Sequence, residues 1–353
     1  MTAGQSSPRG RGAATNPPNR FESVTLERDS EWNPEEDPAP RTQFLRDLSQ
    51  SIISYNNSPD ISFRAGINPY RGCEHGCSYC YARPTHEYLG FSAGLDFESR
   101  IMVKENAPDL LRKELSSKSW NPQLLAMSGV TDCYQPVERR LQLTRKCLAV
   151  LAEFRNPVCI ITKNFLVTRD IDLLSELARH NAVMVHLSIN SLDRELARKL
   201  EPRASLAEQR LAGVEALAAA GVPVGILVAP IIPALNEYEI PAVLAAAKKA
   251  GAGWAGCEVL RLPLTVASVF GQWLEQTFPE KRDKVIGRIK SIRGGKLNDA
   301  RFGSRMRGEG IFAEQISQMF RVARRKVGLA EEAPDVSTGA FRRPEGPQLT
   351  LTI

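Results

Sequence analysis

Three cysteines fall within eight residues, Cys73-Glu74-His75-Gly76-Cys77-Ser78-Tyr79-Cys80, introduced by Asn68-Pro69-Tyr70-Arg71-Gly72 and followed by Tyr81-Ala82-Arg83. A loop this short can fold three thiolates around one inorganic centre. A cluster of four irons normally takes four cysteine ligands, so three would leave one iron without a protein thiolate. An open metal position is where chemistry is done, whereas a closed one usually holds a fold together. The competing reading is a structural zinc with His75 or His86 as its fourth ligand. Zinc sites mostly use two separated ligand pairs, and the sequence has no second pair.

The elements that must position this loop alternate in type. Strand-like apolar runs occur at 61–67, 124–128, 158–162, 183–189, 222–229 and 254–260. Between them, helical spacing runs over 108–115, 138–154, 171–178, 206–220 and 240–250, the last two ending on Gly221 and Gly251. Strands alternating with helices predict a parallel sheet with helical crossovers. Six such units make an α/β fold, an open, partial (β/α)6 TIM-like barrel. In parallel barrels the chemistry sits at the C-terminal ends of the strands. The polar residues Thr131, Asp132, Lys163, Ser188, Asn190, Arg203 and Arg261 all fall at or just past such ends. Asp132, Lys163, Ser188 and Asn190 have ordinary alternatives as turn, cap or surface residues, and Arg203 and Arg261 could instead pair with buried acids.

The chain of 353 residues, 42% hydrophobic, is long enough for one large core with extensions. No apolar run reaches membrane-spanning length and no signal-peptide core opens the chain, so a cytoplasmic protein is expected. Cys133, Cys147, Cys159 and Cys257 are scattered through apolar segments and read as buried free thiols. The net charge of +6 permits an anionic partner. Four regions result: a flexible basic arm and packing extension (1–60), the barrel (61–263), a basic helical extension (264–330) and a loose tail (331–353). Residues 1–20, with Arg9, Arg11 and Arg20, lack any hydrophobic period and are expected to be mobile.

The CxxxCxxC spacing, with Tyr79 before the third cysteine, resembles the radical S-adenosylmethionine (SAM) superfamily. Across 61–263 the motifs are similar to its spore photoproduct lyase branch, also called DNA repair photolyases: Thr131-Asp132, Thr162-Lys163, Ser188-Ile189-Asn190, Glu201-Pro202 and Val228-Ala229-Pro230-Ile231. The resemblance implies a [4Fe-4S] cluster on Cys73, Cys77 and Cys80, with SAM chelating the open iron and an external electron donor. It places Thr131-Asp132 at the SAM amino group and Lys163 at its carboxylate, with Ser188, Asn190 and Arg203 as further contacts. Tyr79 and Tyr81 match the family's aromatic positions beside the last ligand.

One departure matters. Spore photoproduct lyases carry a hydrogen-donating cysteine three positions before that Asp, where this chain has Gly129. Cys133 is a candidate relocated donor, and Tyr81 a second candidate catalytic group. The resemblance therefore implies the chemistry without standard spore photoproduct repair.

From Lys281 to Lys326 there are fourteen Lys/Arg against four Asp/Glu, including Arg301-Phe302-Gly303-Ser304-Arg305-Met306-Arg307 and a helical pattern over 311–327. Such a segment can follow a phosphate backbone while an aromatic stacks on a base. A nucleic-acid substrate is the leading expectation. The alternatives are a radical SAM enzyme acting on a peptide or small metabolite, and a non-enzymatic nucleic-acid-binding module with a structural metal.

Overall fold

The computed structural model describes residues 8–21 and 41–344. Its main sheet has seven strands, of which six run parallel. These six barrel strands are β1 (Ala65–Ile67), β2 (Leu125–Met127), β3 (Val158–Thr162), β4 (Val183–Ser188), β5 (Val224–Ile231) and β6 (Ala255–Val259). The crossover helices are α1 (Ala107–Ser116), α2 (Leu143–Phe154), α3 (Ile171–Ala178), α4 (Ala207–Ala219) and α5 (Ile240–Lys249). The seventh strand, Ile53–Tyr55, pairs antiparallel with β1, and the two edges of the sheet do not meet. This is the expected open, partial (β/α)6 barrel.

Side chains alternate between the two faces of each strand. Val158, Ile160, Val183, Val185 and Leu187 join the core under the helices. Cys159 and Met184 face the barrel axis, where they pack with Trp254 and plug the end at which the strands begin. Trp254 Nε1 donates to His186 Nε2 at 2.8 Å. Gly225 makes room for this plug, since a Cβ there would lie 2.3 Å from the Trp254 ring. Further along the same face, Ile161, Ser188, Leu227 and Ala229 border a cavity at the strands' C-terminal ends. One end of the barrel is sealed and the other is open.

Several expectations are corrected. The helix read over 138–154 is two, Glu138–Leu141 and α2, broken by left-handed backbone at Gln142 (φ 54°). Buried Glu138 accepts from Thr144 N at 3.1 Å and Tyr70 Oη at 2.5 Å, which fixes the junction. Residues 8–21 are packed, with Arg11 and Ala13 buried. Part of the tail is packed too: Ser337 N donates to Asn181 O at 2.8 Å and Arg342 N to Phe154 O at 2.9 Å, across the sealed end. The expectations for 1–7, 22–40 and 345–353 lie outside the described residues. Cys257 is exposed on β6, whereas Cys133, Cys147 and Cys159 are buried as expected.

A small three-stranded sheet, unanticipated, holds the entry to the cysteine loop. Tyr70–Arg71 pairs with Arg100–Val103, which pairs with Gln43–Arg46. Beyond the barrel, helices Val266–Thr277 and Arg282–Ser291 bury Phe270, Trp273 and Val285 in a cluster that includes Cys77 and Tyr79. Helix Ile311–Val327 has the expected bounds, ends at left-handed Gly328 and packs beside α5. Among the described residues no helix is long and apolar enough to cross a membrane.

Candidate active site

The cavity has a volume of about 490 Å³, within the range of small-molecule sites. Cys73, Cys77 and Cys80 all line it, and none is in a disulfide. The loop that carries them is stitched to its surroundings through its backbone. Cys73 N donates to Phe97 O at 2.9 Å, Ser78 N to Leu200 O at 3.1 Å, and Arg203 N to His75 O at 3.3 Å. Burial pushes the Cys77 and Cys80 thiols up, Cys77 further because Glu201 is near. A coordinating metal would oppose this, since it deprotonates a thiol outright.

The two histidines offered as zinc ligands are otherwise engaged. His75, 1% exposed, has Nδ1 at 3.3 Å from Asp132 Oδ2 and Nε2 at 3.3 Å from Asn164 Nδ2. His86 Nε2 lies 2.9 Å from Arg100 O, and burial lowers its pKa to about 4. Among the described residues no group of three or more His, Cys, Asp or Glu side chains is placed to hold a single metal ion. With both imidazoles engaged elsewhere, neither stands beside the three cysteines as a free fourth zinc ligand.

The wall beside the thiols comes from the ends of β2, β3 and β4. Lys163 N donates to Asp132 Oδ2 at 2.8 Å, and the lysine side chain lines the cavity. Among the described residues its ammonium has no hydrogen bond or ion pair. Burial would lower the Lys163 pKa, but Cys77, Glu201 and Asp132 outweigh it and raise it. Both Asp132 oxygens already accept protein donors, from Thr162 Oγ1 at 2.7 Å, Tyr134 N at 2.9 Å and Lys163 N. Asp132 thus clasps the end of β3 to the cysteine loop through His75. Thr131 Oγ1 donates to Tyr70 O at 2.9 Å. Ser188 lines the cavity, and the buried Asn190 Nδ2 lacks a protein partner.

Tyr79 lies in the cavity wall with its hydroxyl donating to Glu201, whose other oxygen pairs with Arg210. Arg210 also donates to Ser188 O at 2.6 Å and Ser205 O at 2.7 Å. Arg210 is a site residue that the sequence motifs do not mark. Its signal was a charged residue on the buried stripe Ala207, Arg210, Val214, Leu217 of α4.

Three predicted site residues are not brought to the cavity: Asn190, Arg203 and Cys133. Arg203 points away, with Nη1 at 3.4 Å from Glu74 Oε1. Cys133 is 1% exposed and packs in the main core with Met127 and Tyr134. Its backbone N–H is held by Ser128 Oγ at 2.8 Å, which turns the side chain beneath the strand ends. Cys133→Ala is expected to leave any turnover within about twofold and to cost about 1 kcal/mol of stability, measured by denaturant melts beside activity.

At the mouth, Tyr81 is 46% exposed and donates to Gly129 O at 2.8 Å. A Cβ at Gly129 would meet only Phe63 Cε2, at 3.9 Å, so space does not exclude a side chain there. Arg261 lies over the Tyr81 ring, 5.5 Å from its centroid, and its Nη1 is 3.3 Å from Glu258 Oε1. Glu258, Arg305 and Met306 complete this wall. Arg305 is committed, with Nε 2.5 Å from Asp60 Oδ2, while Gly303 N donates to Asp60 Oδ1 at 2.6 Å. The basic segment at 301–307 is thereby stapled to the loop before β1. Nothing local in the sequence pairs these two stretches.

Comparison with known proteins adds the following. Residues 67–247 match the family model of the radical SAM superfamily. An uncharacterized protein of Mycobacterium tuberculosis (strain ATCC 25618 / H37Rv), Rv2578c, is 38% identical over 226 residues. That alignment covers 64% of this chain and 66% of the relative, just under two thirds of its length. MJ0683 of Methanocaldococcus jannaschii, also uncharacterized, is 32% identical over 215 residues, covering 61% and 76% of the two chains. Among solved structures, spore photoproduct lyase complexed with dinucleoside spore photoproduct superposes with a TM-score of 0.55 at 18% identity, covering 80% of this chain and 78% of that one. At that identity the likeness is one of fold.

Proposed function

The chain belongs to the radical SAM superfamily, a family of enzymes whose chemistry uses a [4Fe-4S] cluster and SAM, and we propose that it cleaves SAM reductively at a cluster held by Cys73, Cys77 and Cys80. One observation carries this reading: three free thiols and an unpaired lysine ammonium share one cavity at the open end of the barrel. When bound and reduced by an external donor, the cluster supplies the electron that splits SAM into methionine and a 5′-deoxyadenosyl radical. The protein's part is binding, orientation and exclusion of water. Lys163 would meet the SAM carboxylate and the Ser188 hydroxyl its ammonium. Asp132 holds Lys163 through its backbone. Tyr79, fixed by Glu201, packs over the cofactor.

In this reading the radical is directed at a nucleic-acid base, in repair or modification, by a cytoplasmic enzyme with lyase-like organisation. Support comes from the aromatic mouth (Tyr55, Phe63, Tyr81), Arg261, and exposed cations of the C-terminal extension such as Arg307, Arg321, Arg325 and Lys326. The lyase that binds dinucleoside spore photoproduct shares the fold. Reaching a base in a duplex requires flipping or a single strand. Gly129 argues against standard spore photoproduct repair, and Tyr81, whose hydroxyl meets the Gly129 carbonyl, is the group at that position able to give a hydrogen atom. A small-metabolite substrate is favoured by a different observation: Arg282, Arg293, Arg301, Arg305 and Arg324 spend their charge or donors on the protein itself.

Anaerobic reconstitution, dithionite and SAM test both levels, with 5′-deoxyadenosine as the product followed. Formation of the nucleoside by the reconstituted protein, and not by the unreconstituted blank, is expected. Its absence would overturn the SAM-cleavage reading. Damaged single-stranded oligonucleotide is expected to accelerate cleavage, and an unchanged rate would favour the small-metabolite substrate.

A further inference from the structure

The packed N-terminal segment lies on the outer side of the cysteine loop, and its contacts form one connected chain. Gly12 N donates to Glu98 Oε2 at 3.0 Å and Ala13 N to Glu98 Oε1 at 2.8 Å. Arg11 Nη1 donates to Glu98 O at 2.7 Å. Glu98 is fully buried and receives a further bond, from Arg83 Nη2 at 2.5 Å. Arg83 is fully buried as well, and it donates to the carbonyl of Cys77 from Nη2 at 2.7 Å and from Nε at 3.0 Å. Its Nη1 holds Gly94 O at 2.9 Å. The path from the N-terminal backbone to a cluster-loop cysteine is therefore Gly12 and Ala13, Glu98, Arg83, Cys77.

The approach is as close as backbone allows. A Cβ at Gly12 would lie 1.7 Å from Gly76 O, and one at Gly94 2.0 Å from Thr15 O. Gly76 itself needs left-handed backbone (φ 66°). A buried Arg–Glu pair is stabilising only when its remaining donors and acceptors are satisfied, and here the N-terminal segment supplies two of the carboxylate's partners. Asn16, Asn19 and Pro17 extend the seam, through Asp96, Glu87 O and Ser92 respectively.

We propose that residues 8–21 are a strap that fixes the cysteine loop, with Gly12, Glu98 and Arg83 as positioning residues acting on the Cys77 segment. The inference rests on the cluster reading above. Groups one layer out from metal ligands commonly change metal affinity by 10- to 100-fold when removed, because they set ligand orientation and solvent access. The strap would do this by backing the loop at Gly76 and Cys77.

The test uses full-length protein. Gly12→Val keeps every charge but forbids the close approach, Glu98→Gln removes the carboxylate, and Pro18→Ala, at an exposed position in the same segment, is the control. Iron and sulfide content after reconstitution, and loss of the cluster's visible absorbance in air, are compared in variants whose apo forms melt like wild type. Bleaching about 10-fold faster in the first two, with the control unchanged, is expected. Wild-type rates in both would overturn the strap. A variant that does not fold is replaced by a measurement on wild type: cluster loading should slow amide exchange across 8–21 by about 10-fold, since coupling is reciprocal, and unchanged exchange would overturn the proposal. If wild-type protein retains no cluster, the cofactor assignment fails instead.

Discussion

Lys163→Met is expected to weaken SAM binding by about 10- to 100-fold while leaving the iron content of the reconstituted protein unchanged. The lysine stem runs along the cavity wall, and methionine reproduces much of that packing without the charge. The ammonium is without a protein partner among the described residues, yet Cys77, Glu201 and Asp132 favour its charged form strongly enough to overcome burial. A cation held in that condition awaits an anion. A charged hydrogen bond contributes about 1.5–3 kcal/mol, which sets the size of the effect. Because the pKa is raised, the lysine stays protonated through the neutral range and should add no pH dependence of its own to binding there. Equilibrium binding of SAM to cluster-loaded protein decides the matter. Equal affinity in the variant would remove Lys163 from the carboxylate site.

What the sequence could and could not reveal follows from the range of each interaction. The barrel strands were legible because alternation is local: Val183, Val185 and Leu187 face helices while Met184 and Ser188 face the axis. The cysteine loop was legible because its ligands are neighbours in the chain. The strap was not, because glycine and proline at 8–21 read as disorder, and what orders them is a carboxylate 85 residues away. Cys133 failed for a related reason, since a turn after a strand does not announce which way its residues point, and Ser128 turns this one into the core. The basic C-terminal segment was visible as charge, but Asp60, which pairs with Arg305 and staples the segment to the mouth, lies 245 residues away. Asp132 lines the cavity, with its oxygens already bound to protein groups. Position was readable there, and occupancy was not.

Arg210→Ala should destabilise the protein by about 3–5 kcal/mol at neutral pH, the usual cost of removing one partner from a buried ion pair. Glu201 and Arg210 are 2% exposed each, so the orphaned carboxylate cannot turn to water. The loss would also free the Ser188 and Ser205 carbonyls and leave Glu201 held by the Tyr79 hydroxyl alone among its hydrogen-bond partners, loosening the wall that carries the cofactor site. The pH dependence gives the argument its sign. Burial alone would raise the Glu201 pKa, but Arg210, Lys163 and the Tyr79 hydroxyl together hold it below the ordinary carboxylate value. A lowered native pKa contributes stability that is present above the unfolded pKa and lost as pH falls through the folded one. Without Arg210 the largest of the opposing charges is gone and the pKa rises, so protonation relieves the variant as the solution is acidified. The difference in unfolding free energy between wild type and variant should therefore be largest near neutrality and shrink through the carboxylate range. Denaturant melts at several pH values measure it. A pH-independent difference would mean that Arg210 acts by packing and its carbonyl contacts, and that the charge on Glu201 is not what it answers.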